Sequence, residues 1–240
     1  MKIIGLLFMF FMSSFANNSV YIWSKSFNSY ANCEIIKFLK QHNINTALVS
    51  VSNNTDILKL SDFLSNAKQN NIKVEFLIGD NSWIYEDKIY KINIKLKLLE
   101  TFNNYNIHLD IEPQAIQSLK HDREKYLKMY IEMLKYIHIY YPRYNISISI
   151  PTFYPVEYVK QISQYVDKIY LMAYEYKKLS QLEKRIKKYD EFKSQLVIAF
   201  NCKDFTKDSL QESINFVKSL GYKDIAFHSF KTLKELYETK

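Results

Sequence analysis

Residues 106 to 113 read NIHLDIEP, so His108, Asp110 and Glu112 fall at every second position with Leu109 and Ile111 between them. In a strand this alternation sends the three ionisable side chains to one face and the two aliphatic ones to the other. Two neighbouring carboxyls do not readily both ionise, so one holds a proton near neutral pH. The chemistry predicted is general acid/base catalysis, with Glu112 as the acid and Asp110 raising its pKa. The competing explanation is that the three groups only satisfy one another inside a core. Pro113, directly after Glu112, marks a strand end, and strand ends are where parallel α/β barrels carry their catalytic groups.

The elements that must position this trio can be read along the chain. Strand-like runs occur at 20–24, 46–51, 73–79, 107–112, 145–150, 168–174, 196–200 and 224–228. Amphipathic segments of helical spacing separate them; in the one from 122 to 141, Tyr126, Met129, Tyr130, Met133, Leu134 and Ile137 share a face. A short helix is expected over 155–165, with Pro155 suited to its first turn. Eight strands each followed by a helix imply a parallel sheet, and the length fits a single α/β domain, a closed (β/α)8 TIM barrel. An open doubly wound sheet is the runner-up, but it normally carries a glycine-rich turn after its first strand, and IWSKSFNSY has none. Only three glycines occur in all, which argues against a phosphate-cradling loop, and no cofactor is expected. In a barrel Leu109 and Ile111 face the helices. Glu112 is then the last strand residue at the rim, Asp110 lies one layer deeper and His108 deeper again.

The first sixteen residues read as a secretory leader: Lys2, an apolar run from Ile3 to Met12, and Ser14-Phe15-Ala16 as a small-x-small cleavage pattern. An uncleaved anchor is the alternative. No later segment approaches the roughly 18 apolar residues of a membrane span. The expectation is an exported, periplasmic or secreted barrel over 17–240, with no stable membrane insertion. The formal net charge is +8, yet arginine is limited to Arg123, Arg143 and Arg185, and the one lysine-rich cluster is KRIKK at 184–188. Nucleic-acid binders concentrate such charge on one element, so a nucleic-acid partner is not expected, and the charge favours anionic polymers. Cys33 and Cys202 are too few for a disulfide scaffold, and in an oxidising compartment they either pair or stay free.

LDIEP followed about 60 residues later by LMAYE resembles glycoside hydrolase family 18. In that family of chitinase-like barrels the fourth strand ends in Asp-x-x-Asp-x-Asp-x-Glu and the sixth carries Met-x-Tyr followed by Asp. The resemblance implies that Glu112 is the proton donor and Asp110 the aspartate that pairs with it and orients the substrate's acetamido group. It also implies that Met172 and Tyr174 form the sixth-strand motif, with Tyr174 holding the acetamido oxygen. Gly79 in FLIGDNSW matches one glycine of the third-strand Ser-x-Gly-Gly, with Leu77 where the serine stands. Several positions depart from the family pattern. His108 replaces the middle aspartate, Tyr105-Asn106 replaces Asp-Gly, Glu175 follows Tyr174 where the family has aspartate, and His228 and Phe230 stand where a tryptophan ends the eighth strand.

The resemblance implies substrate-assisted cleavage, in which the sugar's own N-acetyl oxygen attacks and no enzymic nucleophile is needed. LVIAFNCKD on the seventh strand accordingly carries no glutamate. The partner expected is a polysaccharide or oligosaccharide, met by His108, Met172, Glu175 and His228 beside the catalytic trio. Trp23, Trp83, Phe153, Tyr154 and Tyr176 are candidate sugar-stacking rings, with Trp83 and Tyr176 preferred because each follows a strand end directly; core packing is the alternative for every one of them, as for Tyr174. Two other functions remain open. One is a metal-dependent deacetylase or phosphodiesterase using His108, Asp110, Glu112 and His228. The other is a non-catalytic sugar-binding barrel. Short strand-helix loops favour an open groove.

Overall fold

Eight parallel strands pair in sequence order, and the eighth returns to the first. The computed structural model describes residues 17–176 and 178–238, so the leader expected over 1–16 lies outside the described residues. The strands are β1 (Asn18–Ile22), β2 (Thr46–Ser50), β3 (Lys73–Ile78), β4 (Asn106–Leu109), β5 (Asn145–Pro151), β6 (Lys168–Met172), β7 (Leu196–Asn201) and β8 (Asp224–His228). Around them run α1 (Ser24–Ser29), α2 (Asn32–Gln41), α3 (Ile57–Gln69), α4 (Tyr90–Glu100), α5 (Arg123–Tyr140), α6 (Val156–Ile162), α7 (Leu179–Lys187), α8 (Lys207–Ser219) and α9 (Phe230–Glu238). This is the (β/α)8 barrel expected from the alternation of patterns. No described helix is long and apolar enough to cross a membrane.

Each strand divides its residues by the same parity. Outward positions such as Val20, Ile22, Ile107, Leu109, Ile146 and Ile148 join the aliphatic layer beneath the helices. On α5 the expected face packs into that layer: Tyr126, Tyr130, Met133, Leu134 and Ile137 are buried, and Met129 is half-buried. Inward positions are mixed. Tyr21, Leu48, Leu77, Tyr170, Val197, Ala199 and Ala226 form a small apolar cluster inside the barrel, while Glu75, His108, Ser147 and Ser149 are buried there as polar groups.

Strand β4 is shorter than the sequence implies. Its ladder ends at Leu109, although the Asp110 N–H still donates to the Ile78 carbonyl at 2.9 Å. Glu112 is therefore not a strand residue but caps a 3-10 turn over Pro113–Ala115. The turn arises because proline has no N–H to continue a ladder. The two cysteines do not pair: Cys33 is exposed on α2, and Cys202 is buried just after β7.

Gly79 has a specific reason to be glycine. A Cβ there would sit 2.0 Å from the Asp110 carbonyl oxygen, so β3 can lie beside the end of β4 only without a side chain. Gly79→Ala is expected to lower stability by about 1–3 kcal/mol in urea unfolding, and to lower any activity further because Asp110 must move. Unchanged unfolding would contradict this account of the glycine.

Candidate active site

The inward alternation of β4 and β5 builds a polar column along the barrel axis. At its lower end Lys73 pairs with Glu75 at 2.8 Å. Ser147 donates to Glu75 Oε2 at 2.5 Å, which leaves its oxygen to accept from His108 Nδ1–H at 2.7 Å. A neutral imidazole has one N–H. Nε2 is therefore the acceptor, and Ser149 donates to it at 2.8 Å. Ser149 in turn accepts from the Tyr21 hydroxyl at 2.9 Å. Donors and acceptors match at every step. His108 is fully buried, and burial pushes its pKa down to about 3.

Above the column stand the two carboxyls. Asp110 is pushed up to about 6, first by burial and then by the charge of Glu112. Asp110 is the deeper of the two. Glu112 is held from both sides. Its N–H donates to Asn81 Oδ1 at 2.7 Å, and Gln114 Nε2 donates to Glu112 Oε2 at 3.1 Å. Gln114 is fixed in turn by the buried Tyr154 hydroxyl, which donates to its Oε1 at 2.7 Å.

Tyr174 completes the group. Its hydroxyl pKa is raised by burial and then by Asp110 and Glu112, which puts it within the field of both carboxyls and keeps it a donor across ordinary pH. The Tyr174 ring lies 5.7 Å from His228, and His228 lies 5.4 Å from Tyr21 and 5.6 Å from Trp23. These four rings form an aromatic floor. His228, at the end of β8, occupies part of that floor, while Phe230 is buried in the core.

Two depressions meet at the carboxyls. One, of about 680 Å³, extends over β2 and β3 and is lined by Trp23, Gly79, Asp80, Lys91 and Asp110 among others. The other, of about 970 Å³, extends over β5 and β6, lined by Glu112, Phe153, Met172, Tyr174, Glu175 and Arg185 among others.

Of the residues expected to meet substrate, Trp23, Met172, Tyr174 and Glu175 line these depressions together with Asp110 and Glu112, and His228 lies in the floor between Trp23 and Tyr174. Three others do not face the groove as expected. His108 is sealed two layers down, with both ring nitrogens taken by serines. Trp83 keeps 6% exposure and packs its ring into the core from a 3-10 turn over Asn81–Ile84, leaving only an edge in the depression. Tyr176 packs on Phe205 at 5.7 Å with its hydroxyl buried, because the chain turns at Glu175, whose φ of 54° is left-handed. The ring that is open is Phe153, at 50% exposure. Among the described residues no three His, Cys, Asp or Glu side chains converge as metal ligands.

Sequence reasoning missed Tyr21, Glu75, Asn81, Gln114, Ser147, Ser149 and Arg185. The alternation Ser-Ile-Ser-Ile on β5 was the available signal for the serines, since the helix-facing parity of that strand is aliphatic. Nothing local marked Asn81 or Gln114.

No sequence-family model matches the chain, and no curated protein matches it in sequence. Solved structures do resemble it. A chitinase from Bacteroides thetaiotaomicron is similar at a TM-score of 0.72 and 12% identity, over 91% of this chain and 91% of that one. The Bacillus cereus spore cortex-lytic enzyme SleL is similar at 0.65 and 11%, over 88% of this chain and 70% of that one. A variant of the GH18 chitinase from Cycas revoluta, in complex with (GlcNAc)4, is similar at 0.58 and 11%, over 78% of this chain and 69% of that one. The likeness to these proteins, a GH18 chitinase among them, is one of fold at very low identity.

The column makes a pH prediction. The unfolded chain protonates His108 near 6.5 while the folded chain resists until about 3, so its contribution to stability is full above 6.5 and is lost as pH falls, at up to about 1.4 kcal/mol per unit. Asp110 acts oppositely: folded it holds its proton to about 6 against 3.8 unfolded, so its contribution declines as pH rises between those values. Wild type is therefore expected to lose stability with acid more steeply than His108→Gln in urea unfolding between pH 7 and 5. Nitrogen-15 NMR should find His108 neutral and protonated on Nδ1 down to about pH 4. An imidazolium signal from His108 at pH 5 would refute the column.

Proposed function

We propose that this protein is a glycoside hydrolase that cleaves N-acetylated glycans by a substrate-assisted acid/base mechanism. The observation that carries the reading is the juxtaposition of Glu112 at the rim, the half-buried Asp110 with its raised pKa, and Tyr174 in the field of both. The end of β7 supports it, because that strand closes on Asn201 rather than on a second glutamate. The likeness to chitinases and to a cortex-lytic enzyme is support of a coarser kind, since a barrel fold hosts many chemistries.

In this reading a sugar ring lies over the floor of Trp23, Tyr21, His228 and Tyr174. Glu112 gives its proton to the glycosidic oxygen, and the C–O bond to the leaving sugar breaks. The acetamido oxygen of the retained sugar bonds to the anomeric carbon, forming a cyclic oxazolinium ion. Asp110, ionised while Glu112 carries the pair's one proton, accepts a hydrogen bond from the acetamido N–H and offsets the positive charge that develops there. Tyr174 donates to the acetamido oxygen and holds it beneath the anomeric carbon. Water then loses a proton to Glu112 and adds to the anomeric carbon, which restores the acetamido group. Gln114 on Oε2 leaves Oε1 of Glu112 free for both proton transfers. His108 takes no part in bond making; it holds Ser149 beneath Asp110 without adding a charge.

Glu112→Gln is expected to lower kcat on N-acetylglucosamine oligomers by about 10²–10⁴-fold while oligomer binding, read by calorimetry, persists. Turnover unchanged in that variant would rule out Glu112 as the acid. Binding by both forms with turnover by neither would instead favour a non-catalytic sugar-binding barrel.

The acid must be protonated, and the pair releases its shared proton as Asp110 ionises near 6. The pH profile of kcat/KM is therefore expected to fall on the alkaline side with an apparent pKa close to that value, a property of the coupled pair. Asp110→Asn should displace that limb and lower the rate about 10²-fold or more. An alkaline limb unmoved by the substitution would exclude the shared proton.

A further inference from the structure

The depression beside Glu112 has a cationic wall that general acid catalysis does not require. Helix α7 carries KRIKK, and its periodicity sorts those five residues. Ile186 is buried with Leu182 and anchors the helix. Lys187 points away and pairs with Glu183 at 3.1 Å. Lys184, Arg185 and Lys188 share the remaining face and line the depression.

Two of the three cations are held in place by the barrel itself. Arg185 Nη1 donates to the Tyr174 carbonyl at 2.6 Å, which draws the guanidinium over the end of β6. A guanidinium has five N–H donors in a rigid fork, so four remain for a ligand. Lys188 Nζ reaches the Tyr154 carbonyl at 3.4 Å, over the end of β5, and burial together with nearby Arg123 lowers its pKa. Among the described residues none of the three has an ion pair, whereas Lys187 beside them has one. Concentrating like charges without counter-ions is unfavourable unless something anionic arrives.

The acidic groups of the same depression do not fulfil that role. Glu112 lies at its β4 end, bound to Gln114, and Glu175 is exposed to solvent. Exposed Phe153, after β5, lines the same depression and offers a pyranose ring an apolar face.

We propose that the wall of Lys184, Arg185 and Lys188 binds a carboxylate carried by the glycan itself, on the sugar next to the bond that Glu112 cleaves. The substrate class is then an acidic N-acetylated glycan, the carboxylate being a lactyl ether or a uronic acid. This rests on the reading of Glu112 as a glycosidic acid. Arg185 meets the carboxylate with paired N–H groups, and the two lysines supply charge from either side.

The test uses matched oligosaccharides: one with lactyl carboxylates, one with uronic acids, the methyl ester of each, and the neutral N-acetylglucosamine oligomer. Binding is measured by calorimetry on the Glu112→Gln chain, which separates recognition from cleavage, and turnover is measured on the wild-type chain. At least one acid is expected to bind roughly tenfold more tightly than its ester at low salt, with the preference shrinking as salt rises. Which acid shows the preference identifies the carboxylate. Lys184→Gln with Lys188→Gln, at two exposed positions on a helix anchored by other residues, should bring the acid-to-ester ratio toward one without moving the unfolding midpoint. Equal binding of acids and esters, no binding of any probe, or a preference untouched by the double substitution would each overturn the proposal. Cleavage of the neutral oligomer with no acid preference would leave the glycosidase reading standing and remove this one. Acid-selective binding without turnover of any probe would leave the carboxylate-binding wall standing and remove the glycosidase reading, and with it the placement beside a cleaved bond.

Discussion

The interior of a (β/α)8 barrel is packed with side chains and closed to water, so a polar group placed there must find its partner within the protein. Among the polar groups in that space are a carboxylate, an imidazole, two hydroxyls and a phenol that one hydrogen-bonded series satisfies, from Glu75 through Ser147, His108 and Ser149 to Tyr21, while Tyr170 pairs separately with Ser19 at 3.1 Å. Removing any member would orphan the next, at a cost of about 1–3 kcal/mol for each unpaired buried group. The series ties β1, β3, β4 and β5 to one register. A slip of one residue in β4 would send His108 into the aliphatic layer and Leu109 into the column. The same slip would exchange Asp110 with Ile111, so the height of the candidate acid pair above the barrel floor depends on the column beneath it.

The column also fixes what kind of environment Asp110 has. His108 replaces the aspartate that the resembled family carries at this layer, and burial keeps it neutral. An aspartate there would be a third carboxyl stacked below two others. With a neutral imidazole, the proton affinity of Asp110 depends on its own burial and on Glu112 above it. His108 therefore transmits position without charge. Its departure from the family pattern is compatible with acid/base chemistry at the rim, since the rim carboxyls do not contact it and its two nitrogens are already committed.

How much was legible in the sequence follows the distance over which each feature is determined. The barrel was readable because every strand and helix carries its own period, and the depth order of His108, Asp110 and Glu112 was readable because alternation along one strand is local. The strand end was less so: Pro113 marked it, but the chain leaves the ladder after Leu109 and turns before the proline. Directions beyond the strand ends were not readable. Trp83 and Tyr176 each follow a strand, yet a 3-10 turn swings one ring into the core and the left-handed Glu175 swings the other onto Phe205. Phe153 is open because its neighbour Tyr154 takes the buried place that holds Gln114. Spacing likewise reveals that two carboxyls are close, but how far burial raises the pKa of Asp110 depends on the surrounding loops.

Arg185 joins two parts of the groove that the sequence keeps far apart. Its guanidinium is bound to the carbonyl of Tyr174, the residue whose hydroxyl lies in the field of the carboxyl pair, and its side chain lines the depression over β5 and β6. An anion drawn to those donors would pull on the same side chain that steadies the end of β6. In the proposed reaction this makes the occupant of the outer depression a contributor to the placement of Tyr174, and so to the alignment of the acetamido oxygen. Binding energy gained at a group remote from the reacting bond would then act on the reacting geometry itself. A lysine at position 185 would carry the same charge but only a single donor centre, and could not hold the Tyr174 carbonyl and a carboxylate in the fixed relation that a planar fork imposes. The observed half of that double contact, the bond to the Tyr174 carbonyl, is already in place in a chain where lysine is otherwise the dominant cation.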